Sequence, residues 1–317
     1  MEKIIEVKNL IKRYKKAKVN AVDDVSFYVE KGAFFSLLGP NGAGKTTILS
    51  ILNTTLSPTE GEVIIAGSDL QRESEKVRKN IGVIFQNPSL DLNLTAEENI
   101  RFHANLYGLY SYSPFFKFMP GEYKDRVEEL AKILGLDFKE IFKPVKEFSG
   151  GMKRKLEIIR GLMHKPKVLF LDEPTTGLDP LSRKNLWQYL QKIRKEEDIT
   201  IFLTTHYLEE AEGADYLCII NKGKLVYRGT PTEIKEALID EFLVVDSAQN
   251  QKLAAELKSK NIKFTGSGPF KIEITSENAQ GIIKSIDTQL TKLDIHSPSL
   301  EEAYIEIIEK ENHEKRD

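Results

Sequence analysis

The stretch GPNGAGKT, from Gly39 to Thr46, sets glycines around a lysine and a threonine at the spacing G-x-x-x-x-G-K-[ST], a polyphosphate-binding pattern. Gly39, Gly42 and Gly44 permit a tight turn whose backbone N–H groups converge where a side chain would block the phosphates. Lys45 brings a positive charge to the β and γ phosphates, and the Thr46 hydroxyl suits Mg2+. Pro40, Asn41, Ala43 and Thr47 complete the candidate nucleotide-binding stretch. A second segment, KVLFLDEP, delivers Asp172 to a strand end, where a carboxylate can hold Mg2+ through its water shell. Glu173 follows, placed to polarise water for attack on a γ-phosphate. The chemistry these two segments share is nucleoside triphosphate hydrolysis.

Three further residues are ambiguous when taken singly. Gln86 ends the run IGVIFQ, where its amide can sense both Mg2+ and the segment that follows. His206 ends TIFLTTH and can donate to or position a γ-phosphate. Each reads equally as an ordinary polar strand-end residue. Tyr14 can stack on an adenine, or serve as a core or surface aromatic. A second anion site is also written into the chain: in KEFSGGMKRKLEII, from Lys146 to Ile159, Ser149, Gly150 and Gly151 precede a helix whose N-terminal N–H groups favour an anion. A chain with one complete phosphate loop has no evident need of it.

These residues must be held by elements, and the hydrophobic pattern shows which. Short continuous apolar strands (AFFSLLG, IGVIFQ, KVLFLDEP, TIFLTTH) alternate with helices, the mark of a parallel sheet covered on both faces and of an α/β fold. Between about residues 87 and 165 the texture turns helical, and this block reads as an insertion into the α/β core; Thr95 and Glu98 form a capping-box pattern at its first helix. Residues 1–235 thus carry the chemistry. Residues 236–317 read as a smaller accessory α+β domain: EFLVVD, a helix NQKLAAELKS, IKFTGS, PFKIEIT, a helix through NAQGIIKSIDTQL, and KLDIHS follow a β-α-β-β-α-β order from about Leu243, the ferredoxin-like plan. The last helix opens near Pro298, and its charged end is expected to fray.

Composition bounds the rest. The 317 residues are enough for two domains, and 40% hydrophobic content supports real cores. A formal net charge of −2 gives no global basic field toward nucleic acid, and no nucleic-acid partner is expected. The single cysteine, Cys218, sits in the apolar run YLCII and reads as a buried strand residue, consistent with a reducing cytosol. No signal peptide is read at MEKIIEVKNL, and no apolar run approaches the roughly 20 residues of a membrane span, so membrane association is expected to go through a partner.

Taken in order, Tyr14, the loop at Gly39 to Thr46, Gln86, FSGGM, VLFLDE, TGLDP and His206 resemble the nucleotide-binding subunit of ATP-binding cassette (ABC) transporters, over about Ile4 to Thr230. The resemblance implies a P-loop NTPase core, RecA-like, with an antiparallel β subdomain and an inserted helical subdomain. It also implies that two ABC ATPase subunits stack head to tail, each ATP lying between the Walker A loop of one and the signature of the other; a homodimer is the expectation, with a heterodimer open. Ser149, Gly150 and Gly151 would then hold the γ-phosphate of the partner's nucleotide, with Leu178 and Asp179 along the same interface. The surplus anion site becomes half of a shared one.

The signature departs from L-S-G-G-Q at Phe148 and Met152, and S-G-G-M followed by KRKLE is similar to the drug- and polysaccharide-export branch related to the daunorubicin-resistance ATPases. The tail segment SPSLEEAYIEI is similar to that branch as well. The resemblance implies an ABC-2-type exporter ATPase, peripheral on the cytoplasmic face of the membrane through a separately encoded permease, with ATP and Mg2+ as cofactors. Residues NPSLDLNLT and the aromatic loop YSPFFKFMP are candidate permease contacts, the latter equally a solvent-facing insertion. Two alternatives stand beside it: a soluble ABC ATPase of translation or DNA repair, disfavoured by the single cassette and the absence of a heptad run, and an importer ATPase, disfavoured by the α/β alternation of the tail.

Overall fold

The computed structural model describes residues 2–87, 89–111, 113–238, 242–274, 279–296 and 299–313. The chain divides into two compact units, Met1–Arg228 and Gly229–Asp317.

The first unit contains two sheets. Strands β1 (Lys3–Lys12), β2 (Val22–Glu30), β4 (Glu60–Ile65) and β5 (Ser68–Asp69) form one, in the order β2-β1-β4-β5, with antiparallel pairing throughout. The other holds β3 (Phe34–Leu38), β6 (Ile81–Ile84), β7 (Val168–Asp172), β8 (Thr200–Thr205), β9 (Tyr216–Asn221) and β10 (Lys224–Gly229), ordered β10-β9-β3-β8-β7-β6. From β9 through β6 its pairs are parallel. β9 and β10 are joined through Lys222 and Gly223, both with positive φ, the backbone of a two-residue hairpin turn.

Continuous apolar strands mean burial on both faces, and β3, β7 and β8 are buried at every position. Alternation then sends successive side chains to two different cores. Phe35, Leu37, Val168, Phe170 and Phe202 join helix α1 (Lys45–Leu52) and the antiparallel sheet, with Phe35 stacked 5.5 Å from Phe27 and 4.9 Å from Phe202. Phe34, Leu169, Leu171, Ile201 and Leu203 face the opposite way. There they meet α3 (Ala96–Leu106), α4 (Gly121–Ile133), α5 (Gly150–Leu162) and α6 (Pro180–Glu196). Each such fully buried side chain is worth roughly 1.5–3 kcal/mol relative to exposure. Helices α2 (Ser74–Asn80) and α7 (Leu208–Glu212) complete the unit, with 3-10 turns at Phe116–Phe118, Phe138–Phe142 and Val145–Glu147. The capping box of α3 is formed: Glu98 N donates to Thr95 Oγ1 (3.1 Å) and Thr95 N to Glu98 Oε2 (2.8 Å). Cys218 is fully buried, which pushes its thiol pKa up.

The second unit contains α8 (Pro231–Leu238), β11 (Phe242–Asp246), α9 (Asn250–Ser259), β12 (Phe270–Glu273), α10 (Ala279–Ser285), β13 (Lys292–His296) and α11 (Leu300–His313). Its sheet runs β12-β11-β13 with antiparallel pairing, in keeping with a ferredoxin-like order. The expected strand at IKFTGS is contracted to one bridge, Thr265 to Lys271. Left-handed Gly266 (φ 95°) and Gly268 (φ 121°) turn the chain away, and Pro269 offers no N–H to extend a ladder. Helix α10 also stops earlier than the periodicity suggests, at Ser285, because the Glu256 carboxylate takes the N–H groups of Asp287 (2.6 Å) and Thr288 (2.9 Å). Pro298 and the last four residues lie outside the described residues. Among the described residues no helix is long and apolar enough to cross a membrane.

Candidate nucleotide site

The loop between β3 and α1 is shaped by what surrounds it. A Cβ on Gly39 would lie 2.3 Å from the Ile220 carbonyl oxygen, and Gly44 combines φ 110° with a hypothetical Cβ 2.6 Å from the Ala21 oxygen. Neither position tolerates a side chain. Lys45 opens α1 and is 4% exposed; its Nζ donates to the carbonyls of Gly39 (2.8 Å) and Pro40 (3.1 Å) and stands 3.3 Å from Glu173 Oε1.

Parallel pairing of β7 with β6 and β8 brings the acids to the same end of the sheet as that loop. Asp172 is the last residue of β7, and Thr204 Oγ1 donates to its Oδ1 at 2.5 Å. Burial raises the Asp172 pKa, opposed by the Thr204 hydrogen bond and the Lys45 charge. Glu173 takes a left-handed φ of 41°, uncommon for a side chain of this size, and its N–H donates to the Thr204 carbonyl at 3.0 Å. Its carboxylate is nearly buried. Oε2 accepts from Gln86 Nε2 and from Thr176 Oγ1, each at 3.4 Å. His206 Nδ1 lies 3.1 Å from the same oxygen, within ion-pair distance although without hydrogen-bond alignment. Gln86 sits two residues past β6, which ends at Ile84 and not at the glutamine.

A cavity of about 600 Å3 joins these groups: Asn41, Gly42, Gly44, Lys45, Thr46 and Thr47 on one side, Gln86, Glu173, Thr176 and His206 on the other. Tyr14 does not line it; half exposed, it places its hydroxyl 3.3 Å from Thr47 Oγ1.

The second group of sequence candidates lies elsewhere. Ser149 is the N-cap of α5, its Oγ accepting from Met152 N (3.2 Å), and Gly150 and Gly151 form the first turn. Ser149 and Gly151 border a separate cavity of about 150 Å3, together with Met152, Leu178 and Ser182. Asp179 caps α6 through Ser182 N (3.0 Å); hydrogen bonds from Ser182 hold its carboxyl below the usual range. Within one chain, then, the two sets of anion-binding groups do not meet.

Reading the sequence overlooked several residues. Thr204 and Thr176 brace Asp172 and Glu173, and the only trace of them was a pair of threonines near each motif. Glu210 is buried with a raised pKa beside the hydroxyls of Thr175 and Thr205. Arg154, on α5, donates to the carbonyls of Phe85 (2.8 Å) and Gln86 (3.4 Å), a contact that no local pattern announces.

The family described as ABC transporter matches residues 22–176. The probable multidrug ABC transporter ATP-binding protein YbhF of Escherichia coli is 37% identical over 74% of the chain; the chain spans 38% of that protein's length. The energy-coupling factor transporter ATP-binding protein EcfA1 of Clostridium novyi is 36% identical over 83% of the chain and 93% of its own length. The linearmycin resistance ATP-binding protein LnrL of Bacillus subtilis is 31% identical over 96% of the chain and 98% of its own length. Among solved structures, the dimeric post-hydrolysis state of the cassette MJ0796 bound to ADP and Pi superposes with a TM-score of 0.62, at 29% identity, over 71% of this chain and 98% of that one. Because the likeness to the resistance protein runs through both units of the chain, it reaches well past the residues that the family model covers, and the protein belongs to the ABC transporter family as one of its ATP-binding proteins.

Proposed function

We propose that this chain is the ATP-hydrolysing subunit of an ABC-2-type exporter, working as a homodimer beneath a separately encoded membrane permease, on the cytoplasmic face of the membrane. The observation that carries the hydrolytic part is the Glu173 carboxylate, nearly buried yet facing the glycine-loop cavity, with Lys45 at 3.3 Å and Gln86 at 3.4 Å. In this reading residues 1–235 are the cassette and 236–317 the accessory domain.

The chain's own groups suit each step. Lys45 exchanges its carbonyl contacts for β and γ phosphate oxygens. Glu173 accepts a proton from the attacking water, Gln86 fixes the carboxylate, and His206, beside the same oxygen, orients the γ-phosphate. Tyr14 stacks against the adenine. The donor set of Thr46, Gln86 and Asp172 is all oxygen, which fits Mg2+; the ion supplies charge neutralisation at the phosphates. Ser149, Gly150 and Gly151, at the positive end of a 13-residue helix, would bind the γ-phosphate held by a second copy, with Asp179 alongside. Dimer closure on ATP and reopening after phosphate release would drive the permease.

The exporter direction rests on Met152 with its following KRKLE and on the likeness to one resistance protein, LnrL, that extends through the tail. An importer reading is favoured by one observation, the identity with the energy-coupling factor protein over most of its length. Phosphate release by the purified chain tests the core of the proposal: turnover requiring ATP and Mg2+ is expected, and its loss in Glu173→Gln with ATP binding retained. Equal rates in both proteins would overturn it. Vesicles holding a six-span permease encoded beside this chain would decide direction.

A further inference from the structure

The helix that begins at Ser149 also grips the segment carrying Gln86. Arg154, one turn into α5 and 5% exposed, donates from Nη1 to the Phe85 carbonyl (2.8 Å) and from Nη2 to that of Gln86 (3.4 Å). Glu157, 2% exposed, pairs with Arg154 at 2.9 Å and accepts from Ser89 N at 3.1 Å. Another turn on, Arg160 Nη1 donates to the Ser89 carbonyl at 2.6 Å, and its Nη2 meets the Ser89 hydroxyl. Three side chains at i, i+3 and i+6 on one helical face therefore take the backbone on both sides of the bend after β6, a segment with no ladder of its own.

Buried charge is costly unless it is paired and hydrogen-bonded. Here the pair directs further hydrogen bonds onto a loop backbone, and these contacts tie the loop to the helix. The far end of the loop carries Gln86, whose amide touches Glu173 Oε2. The near end of the helix carries Ser149.

We propose that Arg154, Glu157 and Arg160 are positioning residues that tie Gln86 to helix α5, so that the helix serving one ATP site sets the catalytic geometry of the other. Arg154 acts on hydrolysis through Gln86 and not through ATP binding. The inference rests on the hydrolytic reading above and adds a route of communication between the two half-sites of one chain.

A double-mutant cycle on the full chain tests it. Because truncating Arg154 leaves Glu157 buried without its partner, the primary variant is Arg154→Lys, which keeps the charge but not the two-carbonyl fork. Arg160→Ala enters the same cycle as a second variant. Gln86→Ala is expected to lower kcat up to about 100-fold, because without the amide the Glu173 carboxylate is free to shift by roughly an ångström from its working position. Arg154→Lys is expected to lower kcat with the Kd for a fluorescent ATP analogue unchanged. The combination of Gln86→Ala with Arg154→Lys should turn over no more slowly than Gln86→Ala alone, because the two changes break one interaction. A rate for the double variant nearer the product of the two losses would overturn the inference, as would wild-type turnover by Gln86→Ala. Either result leaves the hydrolytic reading intact, whereas an unaltered chain without Glu173-dependent turnover would remove both.

Discussion

Gln86 donates its side-chain amide to Glu173 Oε2 at 3.4 Å, across 87 positions of sequence. The contact exists because β6 and β7 are parallel neighbours, Ile84 opposite Leu171, so the residues just beyond them emerge at one edge. Lys45 approaches the other carboxylate oxygen at 3.3 Å from the loop after β3. A carboxylate placed between an amide and an ammonium group makes substitutions here informative.

Glu173→Gln preserves the shape of that site and removes its capacity to take a proton. Hydrolysis should fall about 100- to 10,000-fold, the usual contribution of a general base. With ATP and Mg2+ saturating, the variant should accumulate as a dimer in light scattering, held closed between two loops and two signatures. A monomer under those conditions would count against the stacked arrangement.

Ser149→Ala separates capping from phosphate binding. Loss of the hydrogen bond from Met152 N should cost about 1 kcal/mol, the ordinary worth of an N-cap, and lower the melting temperature by a few degrees. If Ser149 also holds a partner's γ-phosphate, turnover falls well beyond that and ATP-dependent dimerisation weakens. Unchanged turnover, with only the thermal shift, would reduce Ser149 to a cap.

Asp172 carries a stability cost that depends on pH. Burial raises its carboxyl above the ordinary value of 3.8, so the folded chain holds a proton that the unfolded chain has released. Stability therefore falls as pH rises from 3.8 through the raised value and stays lower above it. Asp172→Asn, which keeps an oxygen for Thr204 Oγ1, should raise the melting temperature of metal-free protein at neutral pH and leave it unchanged well below the carboxylate range. The same variant should lose Mg2+-dependent turnover. A neutral-pH melting temperature below wild type would contradict the assigned cost.

The tail offers the opposite sign. Glu256 accepts from Asp287 N, Thr288 N and Lys260, which hold its carboxyl at about 2, against an ordinary 4.5. Its contribution is complete above 4.5 and is lost as pH falls toward 2. Glu256→Gln should flatten the acid destabilisation of the C-terminal unit across that window, measured by hydrogen exchange of β11 and β13 amides. Identical acid profiles would show that these contacts contribute nothing.

How much of this was legible depended on distance along the chain. The phosphate loop, the cap at Ser149 and the capping box at Thr95 are contiguous patterns, fixed by backbone conformation and near-neighbour hydrogen bonds, and each could be read residue by residue. The alternation of strand and helix gave the layered core for the same reason. IKFTGS reads as a strand from its apolar pair, yet the left-handed turns at Gly266 and at Gly268 just beyond it end the ladder at a single bridge.

Sequence alone thus marked the candidates for chemistry: glycines where a Cβ cannot fit, acids at strand ends, a serine ahead of a helix. Only the tertiary structure decided which of them meet. The order β9-β3-β8-β7-β6 gathers Lys45, Gln86, Glu173 and His206 around one cavity and leaves Ser149 at another. It also put Arg154 onto the backbone beside Gln86 and Glu157 onto Ser89 N, a buried ion pair that satisfies its hydrogen bonds in a loop some 70 residues earlier.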